Sequence, residues 1–350
     1  MKKYLILILL ITSSCYNQNS IENNIDKIFQ EFKPNHTPGV SVAVLKDGNI
    51  VYQKGFGLAN IETKVLIEPK TNFRLASITK QFTALSILLL EQDRKLSLSD
   101  TLTNFFSDFP KYGNKITIKN ILQHTSGLVD YENFVNKTDT IQLKDKDVLN
   151  ILMEQDSTYF EPGAKHKYSN SGYAILAILI EKLSGKTYAK FLNSRIFKPL
   201  KMNNSIAYEK GISEIINRSY GYSKSDSGFV FSDQSLTSAV LGDGGIYSST
   251  IDLIKWNSEV NSPTLLPEEK FNRVFQKGKD SNGQEFDYGF GWRLDPYKNY
   301  VRHYHTGGTS GFSNIYMKLP ELDLTVIVLI NVNNFNAKKY AEKIANLFIK

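Results

Sequence analysis

Apolar residues change their spacing several times along the chain, and each change marks an element. Ile21, Ile25, Ile28, Phe29 and Phe32 recur at the three- and four-residue spacing of an amphipathic helix, which Pro34 ends. Val40, Val42 and Val44 then alternate, Asp47-Gly48 supplies a tight turn, and Ile50-Val51-Tyr52 resumes, predicting a β-hairpin. Near the other end, Asn314 to Lys318 and Leu324 to Ile330 read as strands around a turn at Pro320-Glu321-Leu322-Asp323. The unbroken run Val326 to Ile330 suits a central strand buried on both faces. A last helix carries Tyr340, Ala341, Ile344, Ala345 and Phe348 on one stripe.

Strands and amphipathic helices thus gather at both ends, whereas residues 77–240 read as mostly helical with long polar connections. The economical architecture is α/β plus all-α: an antiparallel sheet built from both termini and covered by the terminal helices, with a helical domain inserted between. On this reading residues 21–76 and 241–350 form the α/β domain, and a cleft between the two domains is the natural place for a ligand.

Composition narrows the class. The 350 residues carry a formal charge of +7, but no run of five basic residues occurs, so no nucleic-acid footprint is expected. A single cysteine excludes an intrachain disulfide and Cys-based zinc clusters. That cysteine, Cys15, closes an N-terminal leader: Met1-Lys2-Lys3 is basic, Leu5 to Ile11 is apolar, and Thr12-Ser13-Ser14 is small. The apolar run is too short to span a bilayer, which takes about 20 residues. Residues 1–14 are therefore expected to be a lipoprotein signal peptide, with lipid on Cys15, a tether over 15–20, and a location on the bacterial envelope facing the periplasm or surface. An ordinary signal peptide with an incidental cysteine is the alternative.

The candidate chemistry begins at Ser77-Ile78-Thr79-Lys80. Phe82, Leu85 and Leu89 mark a buried helix with Ser77 at its start, where a serine ordinarily serves as N-cap. A capped helix favours an acid three residues on, yet that position is Lys80, the wrong charge for the helix dipole. Three residues apart, Ser77 and Lys80 share one face. A lysine there, partly desolvated, is suited to take the serine's proton. Tyr168-Ser169-Asn170 follows the turn Glu161-Pro162-Gly163 and precedes an apolar helix, Gly172 to Ser184, that Gly185 closes. Either Asn170 or Ser171 caps that helix, or Tyr168 and Asn170 project from a fixed loop as proton relay and amide ligand. In His305-Thr306-Gly307-Gly308, glycines let backbone run close to a ligand, and an N–H there would suit half of an oxyanion hole.

In that order, Ser77-Ile78-Thr79-Lys80, Tyr168-Ser169-Asn170 and His305-Thr306-Gly307 resemble the three motifs of the penicillin-recognising serine hydrolases, in the branch of class C β-lactamases and D-alanyl-D-alanine carboxypeptidases. Gln123-His124-Thr125-Ser126-Gly127-Leu128, Gly244-Gly245-Ile246 and Tyr288-Gly289-Phe290-Gly291-Trp292 extend the likeness, which runs from about Gly39 to Asn331. The resemblance implies a β-lactamase-like fold and Ser77 as nucleophile. Lys80 and Tyr168 would share the general-base role, and Asn170 would hold the substrate amide. His305, Thr306 and Gly307 would bind substrate, and the N–H groups of Ser77 and Gly308 would hold the oxyanion. His305 stands where most class C β-lactamases have lysine; a histidine of pKa about 6.5 grips a substrate carboxylate less firmly and gains charge only as pH falls.

Other signals lead nowhere. His303 and His305 lack a nearby third metal ligand, Gly185-Lys186-Thr187 ends a helix instead of opening one, and no Gly-x-Ser-x-Gly elbow is present. His124 is expected to brace its loop. No cofactor or metal is expected. The chain reads as a monomeric hydrolase that acylates Ser77 with an amide or ester: a cell-wall D-alanyl peptide, a small ester or a β-lactam. The alternative is an inactive envelope protein that keeps the fold to bind a ligand, but such a module has no need of both Ser77 and Lys80.

Overall fold

The computed structural model describes residues 20–136 and 138–349; the leader and Cys15 lie outside them. Residues 20–28 are helical (α1) and lead to the hairpin β1 (Val40–Lys46) and β2 (Asn49–Phe56). The central part carries α2 (Thr79–Gln92), α3 (Asp145–Met153), α4 (Asn170–Ser184) and α5 (Thr250–Asn261). Three strands, β3 (His303–Thr309), β4 (Phe312–Leu319) and β5 (Leu324–Ile330), and α6 (Ala337–Ala345) complete the chain. Among the described residues no helix is long and apolar enough to cross a membrane.

The five strands form one antiparallel sheet in the order β3-β4-β5-β1-β2, so the two ends of the chain meet at β1 and β5, where Val42 faces Val328. Alternation decides the two faces of β5. Val326, Val328 and Ile330 pack with Ile25 of α1, Phe29 just after it, and Ala341 and Ile344 of α6, whereas Ile327 and Leu329 join the core that holds α2, α4 and α5. Every residue of β5 is buried, as its unbroken apolar run requires. The second core includes nearly all of α2, from Thr79 to Leu90, which makes this helix the axis on which the site is mounted.

A smaller sheet went unread because its strands have two or three residues. Ile246–Ser248 pairs with Phe73–Arg74 on one side and Ile206–Ala207 on the other. It matters because it holds the turn ahead of α2 from two points: Leu75 N–H donates to the Ile246 carbonyl at 2.8 Å, and Ile246 N–H donates to Thr79 Oγ1 at 3.2 Å. On the other flank, Asn314 of β4 donates to the Arg74 carbonyl at 2.8 Å. Strand β3 approaches the same turn so closely that a Cβ on Gly307 would fall against the Leu75 carbonyl, which is the steric reason for glycine there.

Candidate active site

Ser77 lies in a single 3₁₀ turn, Ala76–Ile78, that runs directly into α2. Its side chain caps nothing: the N-cap position of the turn is Leu75, and no side-chain cap bond forms there. Ala76 just before it holds φ at +50°, a left-handed conformation costly for any residue with a Cβ, and it does so buried. The turn brings Ser77 Oγ to 3.1 Å from Lys80 Nζ, in the first turn of α2.

Lys80 is fully buried, and its Nζ has three neighbours: Ser77 Oγ at 3.1 Å, Asn170 Oδ1 at 2.8 Å and the main-chain carbonyl of Asp243 at 2.8 Å. Both carbonyl oxygens accept only, so two N–H bonds of the amine are committed to them and the third direction points at the serine. As an ammonium, Lys80 donates along that direction; as a neutral amine, it presents a lone pair to the Ser77 hydroxyl.

Asn170 is available for this contact because it is not the helix cap. Ser169 is, accepting the Gly172 N–H at 3.3 Å, while Asn170 opens α4 and turns its amide into the site. Its Nδ2 donates to Glu132 Oε1 at 3.1 Å. The loop that carries Tyr168 and Ser169 is braced by His124, whose Nδ1 accepts the Ser169 N–H at 3.1 Å while its carbonyl accepts from Lys167 at 2.9 Å. Burial, with the cation of Lys80 next in weight, pushes the His124 pKa well below 6.5, so the ring is neutral with its proton on Nε2. Tyr168 lies with its ring centre 5.0 Å from Lys80 Nζ and 4.3 Å from the His124 ring, and its buried hydroxyl has no partner among the described residues.

The cleft in front of Ser77 has a volume of about 50 Å³ and is lined by Ser77, Asn170, Gly308, Glu132, Asp243 and Thr309, among others. A Cβ on Gly308 would meet nothing, so the backbone there is open to a ligand. Arg74 also borders the cleft, but its guanidinium is engaged by the hydroxyl and carbonyl of Ser238. Lys80, Tyr168 and His305 are not among the residues that line this cleft. Thr306 borders a different cavity, of about 310 Å³, with Asn334 and Lys338.

His305 occupies an unexpected environment. The residue is 1% exposed and both ring nitrogens are engaged. Nδ1 lies 2.6 Å from the Thr306 carbonyl, an acceptor, so Nδ1 carries the proton and Nε2 accepts from the Tyr288 hydroxyl at 3.0 Å. Burial, reinforced by the charges of Lys80 and Arg293, holds its pKa well below 6.5. The gain of charge expected on mild acidification does not follow from this placement, because the ring must leave its hydrogen bonds and its dry site to take a proton. In an NMR titration the His124 and His305 ring signals are accordingly expected to keep their neutral positions from pH 8 to 5.5. A sigmoidal shift with a midpoint above 6 on His305 would restore it as a switchable anion partner.

Three charged groups escaped sequence reading. Glu132 sits exposed at the mouth on the turn Tyr131–Phe134, its pKa raised by partial loss of water and by Asp130, against the lowering effects of Asn170 and Lys80. Asp243 is buried, and desolvation lifts its carboxyl to about 6 despite the cation of Lys80 and the Tyr131 hydroxyl, which donates to it at 3.1 Å. Arg293 directly follows Tyr288-Gly289-Phe290-Gly291-Trp292 and places its guanidinium 5.3 Å from the centre of the Tyr168 ring, in none of the arginine ion pairs among the described residues. Its position beside that motif was the available signal. Glu132 and Asp243 had none, since their roles rest on contacts between segments far apart in the chain. Among the described residues no cluster of three metal-ligating side chains occurs.

A family model described as Beta-lactamase matches residues 25–348. Penicillin-binding protein 4* of Bacillus subtilis (strain 168) is 32% identical over 324 aligned residues, covering 88% of this chain and 71% of that protein. A solved structure of the octameric penicillin-binding protein homologue from Pyrococcus abyssi matches at TM-score 0.81 and 26% identity, covering 95% of this chain and 77% of its own. The D-amino acid amidase from Ochrobactrum anthropi SV3, complexed with L-phenylalanine amide, shares the fold at TM-score 0.81 and 22% identity, over 94% of this chain and 98% of its own.

Proposed function

The chain belongs to the beta-lactamase family, and from that premise we propose that it is a serine hydrolase working through a Ser77 acyl-enzyme on amides or esters whose acyl part carries an amino group. The observation that carries the catalytic part is the commitment of Lys80: with two N–H bonds held by Asn170 and Asp243, its remaining direction faces Ser77 Oγ at 3.1 Å. The amine takes the Ser77 proton as Oγ bonds to the substrate carbonyl carbon, and the tetrahedral oxyanion rests on the N–H groups of Ser77 and Gly308. The Tyr168 hydroxyl passes its proton to the leaving group as the carbonyl re-forms and the old bond breaks, and Lys80 hands the proton taken from Ser77 to Tyr168, which returns the amine to its neutral form. Water then attacks the acyl-enzyme by the same route and regenerates Ser77.

Charge supports the substrate class. The cleft in front of Ser77 is lined by the carboxyls of Glu132 and Asp243, and one oxygen of Glu132 is left over once Asn170 is served. A substrate ammonium fits that oxygen, and an opposite charge in a partly dry cleft favours it. His305, neutral and buried, offers a penicillin carboxylate no charge. The leader closed by Cys15 supports a lipid-anchored location in the bacterial envelope.

The test compares hydrolysis of a D-amino-acid p-nitroanilide, its N-acetyl derivative and nitrocefin. The free amine is expected to be preferred about tenfold over its acetylated form, and Glu132→Gln to erase most of that preference, because glutamine keeps the size but not the charge that faces the ammonium. A preference for the acetylated amide or for nitrocefin in the wild type would overturn the amine-bearing class.

A further inference from the structure

We propose that Asp145 is a positioning residue for the catalytic lysine, acting through the backbone of Leu241 to Asp243. The inference rests on the reading of Lys80 as the base for Ser77. Asp145 opens α3, where an acid is usually a helix-capping device, yet its carboxylate serves another segment. The reach back to the start of α3 is made by Asp147, which accepts the Lys144 N–H at 2.8 Å. Asp145 instead accepts the Leu241 N–H on one oxygen and the Gly242 N–H on the other, each at 2.9 Å, and is 7% exposed.

The segment it holds is the one that holds Lys80. Gly242 is gripped on both sides: its N–H by Asp145, and its carbonyl by Thr83 Oγ1 of α2 at 2.7 Å, one turn beyond Lys80. It is also pressed against α4, since a Cβ there would fall on the Tyr173 carbonyl. The next residue, Asp243, supplies the carbonyl that takes a Lys80 N–H at 2.8 Å. Two geometrically fixed N–H groups ahead of that carbonyl leave it little freedom, and the direction of the third Lys80 position depends on where it stands. A carboxylate accepts two N–H groups at once, one on each oxygen; an asparagine has one carbonyl oxygen and turns an NH₂ toward the second N–H.

Asp145→Asn and Asp145→Ala, read against Val148→Ala as a destabilising control in the same helix, test this. Val148 is fully buried, and its apolar side chain makes none of the hydrogen bonds above. The readouts are the rate of Ser77 acylation by a fluorophosphonate and the split between kcat and KM on the best substrate. Displacement of a reacting group by about 1 Å costs on the order of 10²-fold, so the smaller shift made by Asn is expected to lower the acylation rate and kcat about 10-fold and Ala more, with KM within about twofold. Val148→Ala is expected to lower Tm with acylation unchanged below the transition.

Should the Asp145 variants not fold, Thr83→Val loosens the same peptide from its other side and is expected to lower kcat by about threefold or more with KM steady. Folded Asp145 variants that acylate at the wild-type rate, or a Thr83→Val protein with unchanged kcat where the others cannot be made, overturn the proposal while leaving the catalytic reading of Ser77 and Lys80 intact. A wild-type protein that fluorophosphonate does not label at Ser77 overturns both.

Discussion

Ser77→Ala is expected to lose turnover by about 10⁴-fold or more, the scale on which removal of a covalent nucleophile acts in serine hydrolases, while its Tm stays within a few degrees of wild type. Stability should hold because the Ser77 side chain caps no helix and, among the described residues, its only side-chain hydrogen-bond neighbour is Lys80, which keeps two other acceptors. Neighbouring serines are poor substitutes. Ser171 Oγ donates to the Val129 carbonyl and accepts the Tyr131 N–H, Ser169 caps α4, and Ser238 is engaged by Arg74. Among the described residues none of them is hydrogen-bonded to a lysine amine. Fluorophosphonate labelling followed by peptide mass spectrometry should therefore place a single adduct on Ser77. An adduct on another serine, or turnover retained in Ser77→Ala, would end the assignment.

The same residues show what a sequence can reveal and what it withholds. Alternation in β1 and the unbroken run in β5 mark them as strands because a strand's two faces are written in its own residues; hence four strands and their assembly into one antiparallel sheet from both ends were legible, with α1 and α6 covering one side, whereas the edge strand β3, interrupted by glycines, was not placed in it. Ser77 and Lys80 were legible for the same reason, being three residues apart on one helical face. The cap of α4 was misplaced by one or two residues, since Ser169, Asn170 and Ser171 all have side chains able to cap, and the choice of Ser169 frees Asn170 for Lys80. The burial of His305 was not legible at all. It depends on Tyr288, 17 residues upstream, crossing to meet Nε2, and on β3 lying against the turn that bears Ser77. Charged groups at the mouth fared likewise: Glu132 reaches Asn170 across 38 residues and Asp243 reaches Lys80 across 163. Motif spacing reports chemistry within one element, whereas the electrostatics of a cleft are set by which elements meet.

Lys80→Met is expected to lower kcat/KM by about 10³-fold, within the 10²- to 10⁴-fold range of general-base contributions, and also to destabilise the fold, unlike Ser77→Ala. The two effects have separate origins. Catalysis is lost because methionine has no lone pair of matching basicity to take the Ser77 proton. Stability is lost because Asn170 Oδ1 and the Asp243 carbonyl both surrender their donor in a buried site, at roughly 1–3 kcal/mol for each group left unsatisfied. The unbranched apolar chain fills nearly the volume of the lysine stem, so cavity formation adds little. Lys80→Arg separates the effects further: guanidinium keeps donors for both carbonyls but does not deprotonate near neutral pH, so it is expected to recover part of the stability and none of the rate. Urea denaturation and fluorophosphonate kinetics on the three proteins provide the measurement. A Lys80→Met protein that acylates within threefold of wild type would place the base elsewhere, and Tyr168, 5.0 Å from the amine by its ring centre and with an unpartnered hydroxyl, would be the residue to replace next.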